Sequence, residues 1–186
     1  CNRLTTVEMS NSVVNIGKTA FQNCSKLRSI IIPNSITSIE QNTFENCRGL
    51  TDVSISDSIT YVDASAFSRC DNIVYNTYDT AYYLGNAENP YVILVKAKSE
   101  EIMSCEINEK CRIILSSAFR NCKTLTSVII PKSVIGIGNS TFYNCSALEK
   151  IVIPKTVTSI GEDAFSGSYM AEICCEAKEI PKGWAS

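Results

Sequence analysis

Histidine is absent from the chain of 186 residues. That removes Ser-His-Asp and Cys-His catalysis, and with them most zinc sites, which use imidazole as base or ligand. No apolar run reaches the ~18 residues a membrane-spanning helix needs, so no membrane insertion is expected. Charge is sparse, at 19% of residues with a net charge of −2, and the 17 Lys and Arg are scattered without a basic run. A nucleic-acid surface needs clustered positive charge, so that class is excluded as well. The 8 glycines form neither a GxGxxG nor a Walker-type loop, and Gly136 and Gly138 lie in a strand and turn rather than before a helix. The cysteines offer no paired C-x-x-C spacing for a metal. No catalytic residue, metal or cofactor is expected. The chain begins at Cys1, in mid-repeat and without an initiator Met, and reads as a piece of a longer protein.

What is present is a period. Phe21, Phe44 and Phe67 are 23 residues apart, and so are Phe119, Phe142 and Phe165. Three residues after five of them comes a cysteine: Cys24, Cys47, Cys70, Cys122 and Cys145, with Ser168 in the sixth place. A fixed period of this length marks a solenoid, in which each repeat touches only its neighbours. Seven repeats and a partial eighth can be counted, at 1–23, 24–46, 47–69, 70–98, 99–121, 122–144, 145–167 and 168–186. Together they form a single solenoid domain over 1–186, with 70–98 as a variant repeat of 29 residues and 168–186 as a closing segment. One repeat buries too little apolar surface to offset the entropy of ordering it, so stability has to come from stacking.

Within a repeat, Leu27, Ile30 and Ile32 form an L-x-x-I-x-I run whose last part alternates as a half-buried strand does. Pro33-Asn34-Ser35 breaks it, Ile36 and Ile39 supply a second short strand, and Phe44 and Cys47 then fall on a short helical turn. The result is an α/β repeat of strand, turn, strand and short helix. The same columns recur: Val7, Ile30, Val53, Asn76, Cys105, Val128 and Ile151 face inward on the first strand, and pairs such as Ile36/Ile39 and Val134/Ile137 on the second.

Ten cysteines would ordinarily suggest disulfides. Five of them occupy one repeated internal position, which reads as a reduced ladder of small buried side chains. The sequons at Asn23, Asn139 and Asn144 are read as by-products of the repeat, since two of them straddle that cysteine column. In the variant repeat, Gly85 to Pro90 is a turn signal between apolar runs, so a β-hairpin or bulged loop is expected there. It carries Tyr75, Tyr78, Tyr82, Tyr83 and Tyr91; Tyr78 and Tyr82 fall in inward columns, which leaves Tyr75, Tyr83 and Tyr91 as the exposed ones.

The unit is clearest as CKTLTSVIIPKSVIGIGNSTFYN at 122–144 and CSALEKIVIPKTVTSIGEDAFSG at 145–167. It resembles the BspA-type leucine-rich repeat over nearly the whole chain. Segments 81–98 and 175–184 also look like parts of bacterial members of that family. The resemblance implies a right-handed leucine-rich-repeat solenoid with parallel sheets along its strand columns. It further implies a surface or secreted protein whose role is adhesion to a protein or glycan of a host or neighbouring cell; a monomeric solenoid is expected.

Candidate binding residues follow from the outward columns of the first strand. Thr5, Arg28, Thr51, Thr126 and Glu149 form one, Thr6, Ser29, Asp52, Ser127 and Lys150 the next. The third holds Ile31, Ile129 and Val152, apolar where Glu8 and Ser54 are polar. Arg28, Ile31, Ile129, Lys150 and Val152 are therefore candidates, together with Tyr75, Tyr83 and Tyr91. Other uses remain open: an ordinary Thr/Ser-rich sheet face with a packed tyrosine cluster, a spacer, or an accessory region of an enzyme.

Overall fold

The L-x-x-I-x-I runs form strands that pair in parallel from one repeat to the next. A computed structural model describes residues 1, 3–179 and 181–184, and the chain divides into two compact units. The first comprises Cys1–Asn76 with Leu84–Val92, the second Thr77–Tyr83 with Ile93–Ser186. In the first unit, β1 (Thr6–Val7), β2 (Ser29–Ile32) and β4 (Asp52–Ile55) make one sheet, and β3 (Ser38–Ile39) and β5 (Tyr61–Val62) another. Val7 pairs with Ile30, Ile30 with Val53 and Ile39 with Val62. Registers offset by one repeat keep every inward residue inward, and Ile30, Ile32, Ile36, Ile39, Val53 and Ile55 are buried.

The variant repeat contributes β6 (Asn76–Tyr78), β7 (Ala81–Leu84) and β8 (Ile93–Ala97). In the second unit, β9 (Ser104–Glu106), β11 (Ser127–Ile129), β13 (Lys150–Ile153) and β15 (Glu172–Cys175) form a sheet of 4 strands. The sheet of 7 runs β16-β14-β12-β10-β8-β7-β6, where β10 is Ile113–Ile114, β12 Gly136–Ile137, β14 Ser159–Ile160 and β16 Gly183–Trp184. These are stacked coils of a leucine-rich-repeat β-solenoid.

The short helical turns expected around each phenylalanine are not formed: among the described residues there is no helix. The Phe-x-x-Cys spacing suits a helix, but the backbone there turns twice through positive φ. Thr19, Asn42, Ser117, Ser140 and Asp163 have φ between 52 and 61°, and Asn23, Asn46, Arg69, Asn121 and Asn144 between 59 and 63°. That conformation ends a helix and favours Asn over most other non-glycine residues. It turns alternate N–H groups along the stack. Phe44 N–H donates to Ala66 O at 2.8 Å and Asn46 N–H to Ser68 O at 2.8 Å, and Phe142 and Asn144 bond to Ala164 and Ser166 in the same way. The asparagine of the Asn-Cys sequons is thus a backbone requirement, and its amides also form a ladder, Asn46 Nδ2–H donating to Asn23 Oδ1 and Asn144 Nδ2–H to Asn121 Oδ1. Arg69 holds the same conformation, at φ 59°, with a residue poorly suited to it. Arg69→Asn is expected to stabilise the chain by about 0.5–1 kcal/mol, read as a higher urea midpoint at unchanged slope; an unchanged or lower midpoint would refute the strain.

The cysteine column explains itself in the same geometry. Where a phenylalanine stands one coil back, the thiols of Cys47, Cys70 and Cys145 donate to its carbonyl: Cys47 to Phe21 O at 3.1 Å, Cys70 to Phe44 O at 3.0 Å and Cys145 to Phe119 O at 3.0 Å, while Cys122, which follows the variant repeat, faces Ser99 O at 3.9 Å. Where the column changes to serine, Ser168 Oγ–H makes the equivalent bond to Phe142 O at 2.7 Å. The position needs a small side chain with one donor. All ten cysteines are free, and Cys24, Cys47, Cys70, Cys105, Cys111, Cys122 and Cys145 are buried. Burial pushes the thiols of Cys105 and Cys122 up to about 11 and those of Cys111 and Cys145 up to about 12. Since the thiolate is the reactive species and must also be reached, alkylation of the folded protein at pH 8 is expected at the exposed Cys1 and the half-buried Cys174, and more slowly at the exposed Cys175, whose thiol is raised by burial and by Cys174 beside it. The buried cysteines should react only after denaturation. A denatured, unreduced sample with several thiols missing would overturn the reduced ladder.

The variant repeat departs from its column assignment. β6 joins the seven-stranded sheet, so Asn76 does not continue the Val7–Ile30–Val53 column; instead Gly85 bridges Ser54. The turn at Gly85–Pro90 is a loop pinned to the end of β4. Asn86 Oδ1 accepts the N–H groups of Glu88 and Asn89, and Asn89 Nδ2–H donates to Asp57 Oδ1 at 2.9 Å. Closer to the chain end, Trp184 pairs with Ile160, and its Nε1–H donates to Val157 O at 3.1 Å. Residues 180, 185 and 186 of the closing segment lie outside the described residues.

Candidate binding surface

Alternation along the first strands turns every second side chain outward, and the structure carries this through at Ile31, Ile129 and Val152, which are 66, 63 and 41% exposed. Ile129, Lys150 and Val152 come together on the sheet of β9, β11, β13 and β15. Ser127 pairs with Lys150 and Val128 with Ile151, so Ile129 and Val152 stand side by side one residue further along the same register. Val152 pairs in turn with Cys174. Lys150 Nζ lies 3.5 Å from Glu172 Oε2, at the edge of this apolar row. The neighbouring Cys174 and Glu172 hold the Lys150 ammonium above its ordinary value.

Arg28 and Ile31 belong to the first unit. Arg28 is exposed just before β2, and Ile31 borders an open groove of about 600 Å3 that Met9, Asn34, Asp57, Asn86 and Glu88 also line. The tyrosines do not form an exposed cluster. Tyr83, expected outside, is fully buried at 0% exposure, and its hydroxyl oxygen accepts the Asn108 N–H at 3.3 Å. The inserted residues shift the parity of the strand, so Ala81 and Tyr83 point inward on β7 while Tyr82 is half-buried. Tyr75, Tyr78 and Tyr91 are half-buried too, and burial raises the Tyr75 phenol. None of the tyrosine candidates lies on the sheet with Ile129.

Sequence reasoning passed over two apolar residues in the Thr5–Arg28–Thr51 column. Val74 and Met103 are 74 and 69% exposed. Their backbone bonds, Val74 N–H to Thr51 O and Thr126 N–H to Met103 O, place them in the outward rows beside Thr51 and Thr126. The signal was in the sequence, as an apolar residue where the other repeats carry threonine, arginine or glutamate. Among the described residues, no group of three or more acidic or cysteine side chains is placed to hold a metal ion.

Parallel strands in two columns per coil, a stacked core and an open outward sheet define a leucine-rich-repeat solenoid. The sequence pattern of the BspA type leucine rich repeat region matches residues 1–86 and 97–182 in 6 copies, and the chain belongs to that family. A leucine-rich repeat protein from Eubacterium ventriosum is 18% identical and superposes with a TM-score of 0.50 over 88% of this chain and 57% of its own. One from Bacteroides ovatus is 17% identical, with a TM-score of 0.43 over 92% of this chain and 66% of that one. A leucine rich cell surface protein from Faecalibacterium prausnitzii is 19% identical, with a TM-score of 0.31 over 86 and 62%. The chain thus spans between about half and two thirds of the length of these proteins. No curated protein matches it.

Proposed function

We propose that the chain is a non-enzymatic binding module of a surface or secreted protein, which engages a protein or glycan partner through the outward face of β9, β11, β13 and β15. The observation that carries the reading is the row of Ile129 and Val152, two large apolar side chains left in water on adjacent strands beside the Lys150–Glu172 ion pair. An apolar centre with a charged rim is how binding surfaces are built. BspA-type repeats are often the repeat regions of surface proteins, which supports the location.

A screen against extracellular-matrix proteins and a glycan array tests it, with Ile129→Lys/Val152→Lys beside the wild type. Specific binding lost in the variant, with far-UV circular dichroism unchanged, is the expected result. Binding that survives both lysines would remove this face from the function. A spacer is the second reading. It is favoured by the hydroxyls of Thr51 and Thr126, which bond to Arg28 O and Met103 O and so are spent on the stack. A spacer would bind nothing in the screen.

A further inference from the structure

The second sheet of the first unit carries a feature that the binding face above does not use. On β5, Tyr61 is 50% exposed, with Ser38 of β3 as its register partner. Two residues on, Glu40 and Asp63 occupy the next outward positions, and Thr37 and Thr60 precede the pair. Tyr61 is not a loose surface ring. Its hydroxyl donates to Asp63 Oδ2 at 3.1 Å, and Asp63 Oδ1 is held by the Ser65 N–H at 2.9 Å and the Ser65 hydroxyl at 2.6 Å. Burial alone would raise the Asp63 carboxyl; the Ser65 and Tyr61 bonds and the charge of Lys18 bring it below its ordinary value, so it stays an acceptor.

We propose that this face is a subsite for a neutral saccharide, with the Tyr61 ring as its platform. A sugar ring offers one flat C–H face and a rim of hydroxyls, each both donor and acceptor. The matching surface is a fixed aromatic face, apolar in the middle and polar at one end, ringed by groups of both kinds. Tyr61 is that face. Thr37 supplies a hydroxyl; the Ser38 and Thr60 hydroxyls, which donate to Glu40 Oε1 at 2.9 Å and to Thr37 O at 3.1 Å, keep acceptor lone pairs for the ligand, and Glu40 offers it Oε2.

Two observations favour a sugar over the other ligands such a surface could take. A protein interface is centred on contiguous apolar area, whereas the outward residues that flank Tyr61 on β3 and β5, Thr37, Ser38, Glu40, Thr60 and Asp63, are polar. A cationic peptide would seek unspent carboxylates, whereas Asp63 is engaged by Tyr61 and Ser65 and one oxygen of Glu40 by Ser38. The remaining negative charge disfavours an acidic sugar. This subsite does not rest on the Ile129–Val152 reading.

The test is titration of the whole chain with maltohexaose, cellohexaose, mannohexaose and chitohexaose, followed through the backbone amide signals. Sialyllactose and an oligolysine peptide serve as charged probes. At least one neutral sugar is expected to move the Tyr61, Ser38 and Thr60 signals saturably. Tyr61→Ala should abolish the shift, and Tyr61→Phe, which keeps the ring but frees it from Asp63, should weaken it about threefold. Glu40→Lys checks the rim without touching the ring and should also weaken binding. The double lysine variant at Ile129 and Val152 should bind as wild type. The proposal is overturned if no neutral sugar moves these signals, if Tyr61→Ala or Glu40→Lys leaves the shifts unchanged, or if only a charged probe produces them.

Discussion

Replacing Phe142 by alanine is expected to lower the unfolding free energy by about 3–5 kcal/mol, among the largest losses a single truncation can produce. Phe142 is fully buried and is the middle ring of a stack, with Phe119 at 5.2 Å and 3° on one side and Phe165 at 5.3 Å and 9° on the other. Truncation therefore removes one aromatic side chain and two ring contacts together, each contact worth about 0.5–1.5 kcal/mol beyond the buried area. The cavity is slow to close, because its walls are the neighbouring coils and their spacing is set by the strand ladders. The control is Phe165→Ala. That ring is only half-buried, so a smaller loss is expected there. Urea unfolding measures both. Equal losses at the two positions would show that the stack adds nothing to burial.

Gly138→Ala should cost about 1–3 kcal/mol, as overpacking does, although it changes one hydrogen into a methyl. A Cβ at Gly138 would lie 2.3 Å from Ser116 N and 2.7 Å from its Cα. Both are backbone atoms of the previous coil, so no side chain can move aside. The Gly138 N–H already donates to Ile114 O at 2.9 Å, and Ser116 Oγ accepts the Asn139 N–H at 3.1 Å, which fixes the approach from both sides. Gly17 has nothing within 4 Å of its Cβ position, so Gly17→Ala should be nearly neutral. A comparable loss at both glycines, measured by the same unfolding experiment, would assign the effect to the glycine backbone rather than to stacking.

How far the sequence could be read depended on the period. Where the repeat is regular, a column assigned in one coil holds in the next, because the ladder advances by one repeat at each step: Ile30 predicts Val53, and Val128 predicts Ile151. The outward placement of Ile31, Ile129 and Val152 was legible for the same reason. Where six residues are inserted between Cys70 and Ser99, nothing periodic remains to set the parity, and Tyr83 was assigned to the wrong side. The helical turns failed for a different reason. Phe44 and Cys47 sit three apart as on a helix, but Asn42 and Asn46 take positive φ, and only pairing with Ala66 and Ser68 of the next coil decides that they do.

The sequence by itself determined the solenoid, its repeat length, its buried cysteine column and the outward side of each regular first strand. All of these follow from side-chain chemistry recurring at a constant interval. Tertiary structure alone decided the path of the variant repeat, the backbone that replaces a helix beside each phenylalanine, and the Tyr61 pad. Tyr61 shows why. No other repeat has an aromatic residue at that position, so the period carries no signal there; what marks the residue is its bond to Asp63 and the hydroxyls of Thr37 and Ser38, brought beside it from another coil.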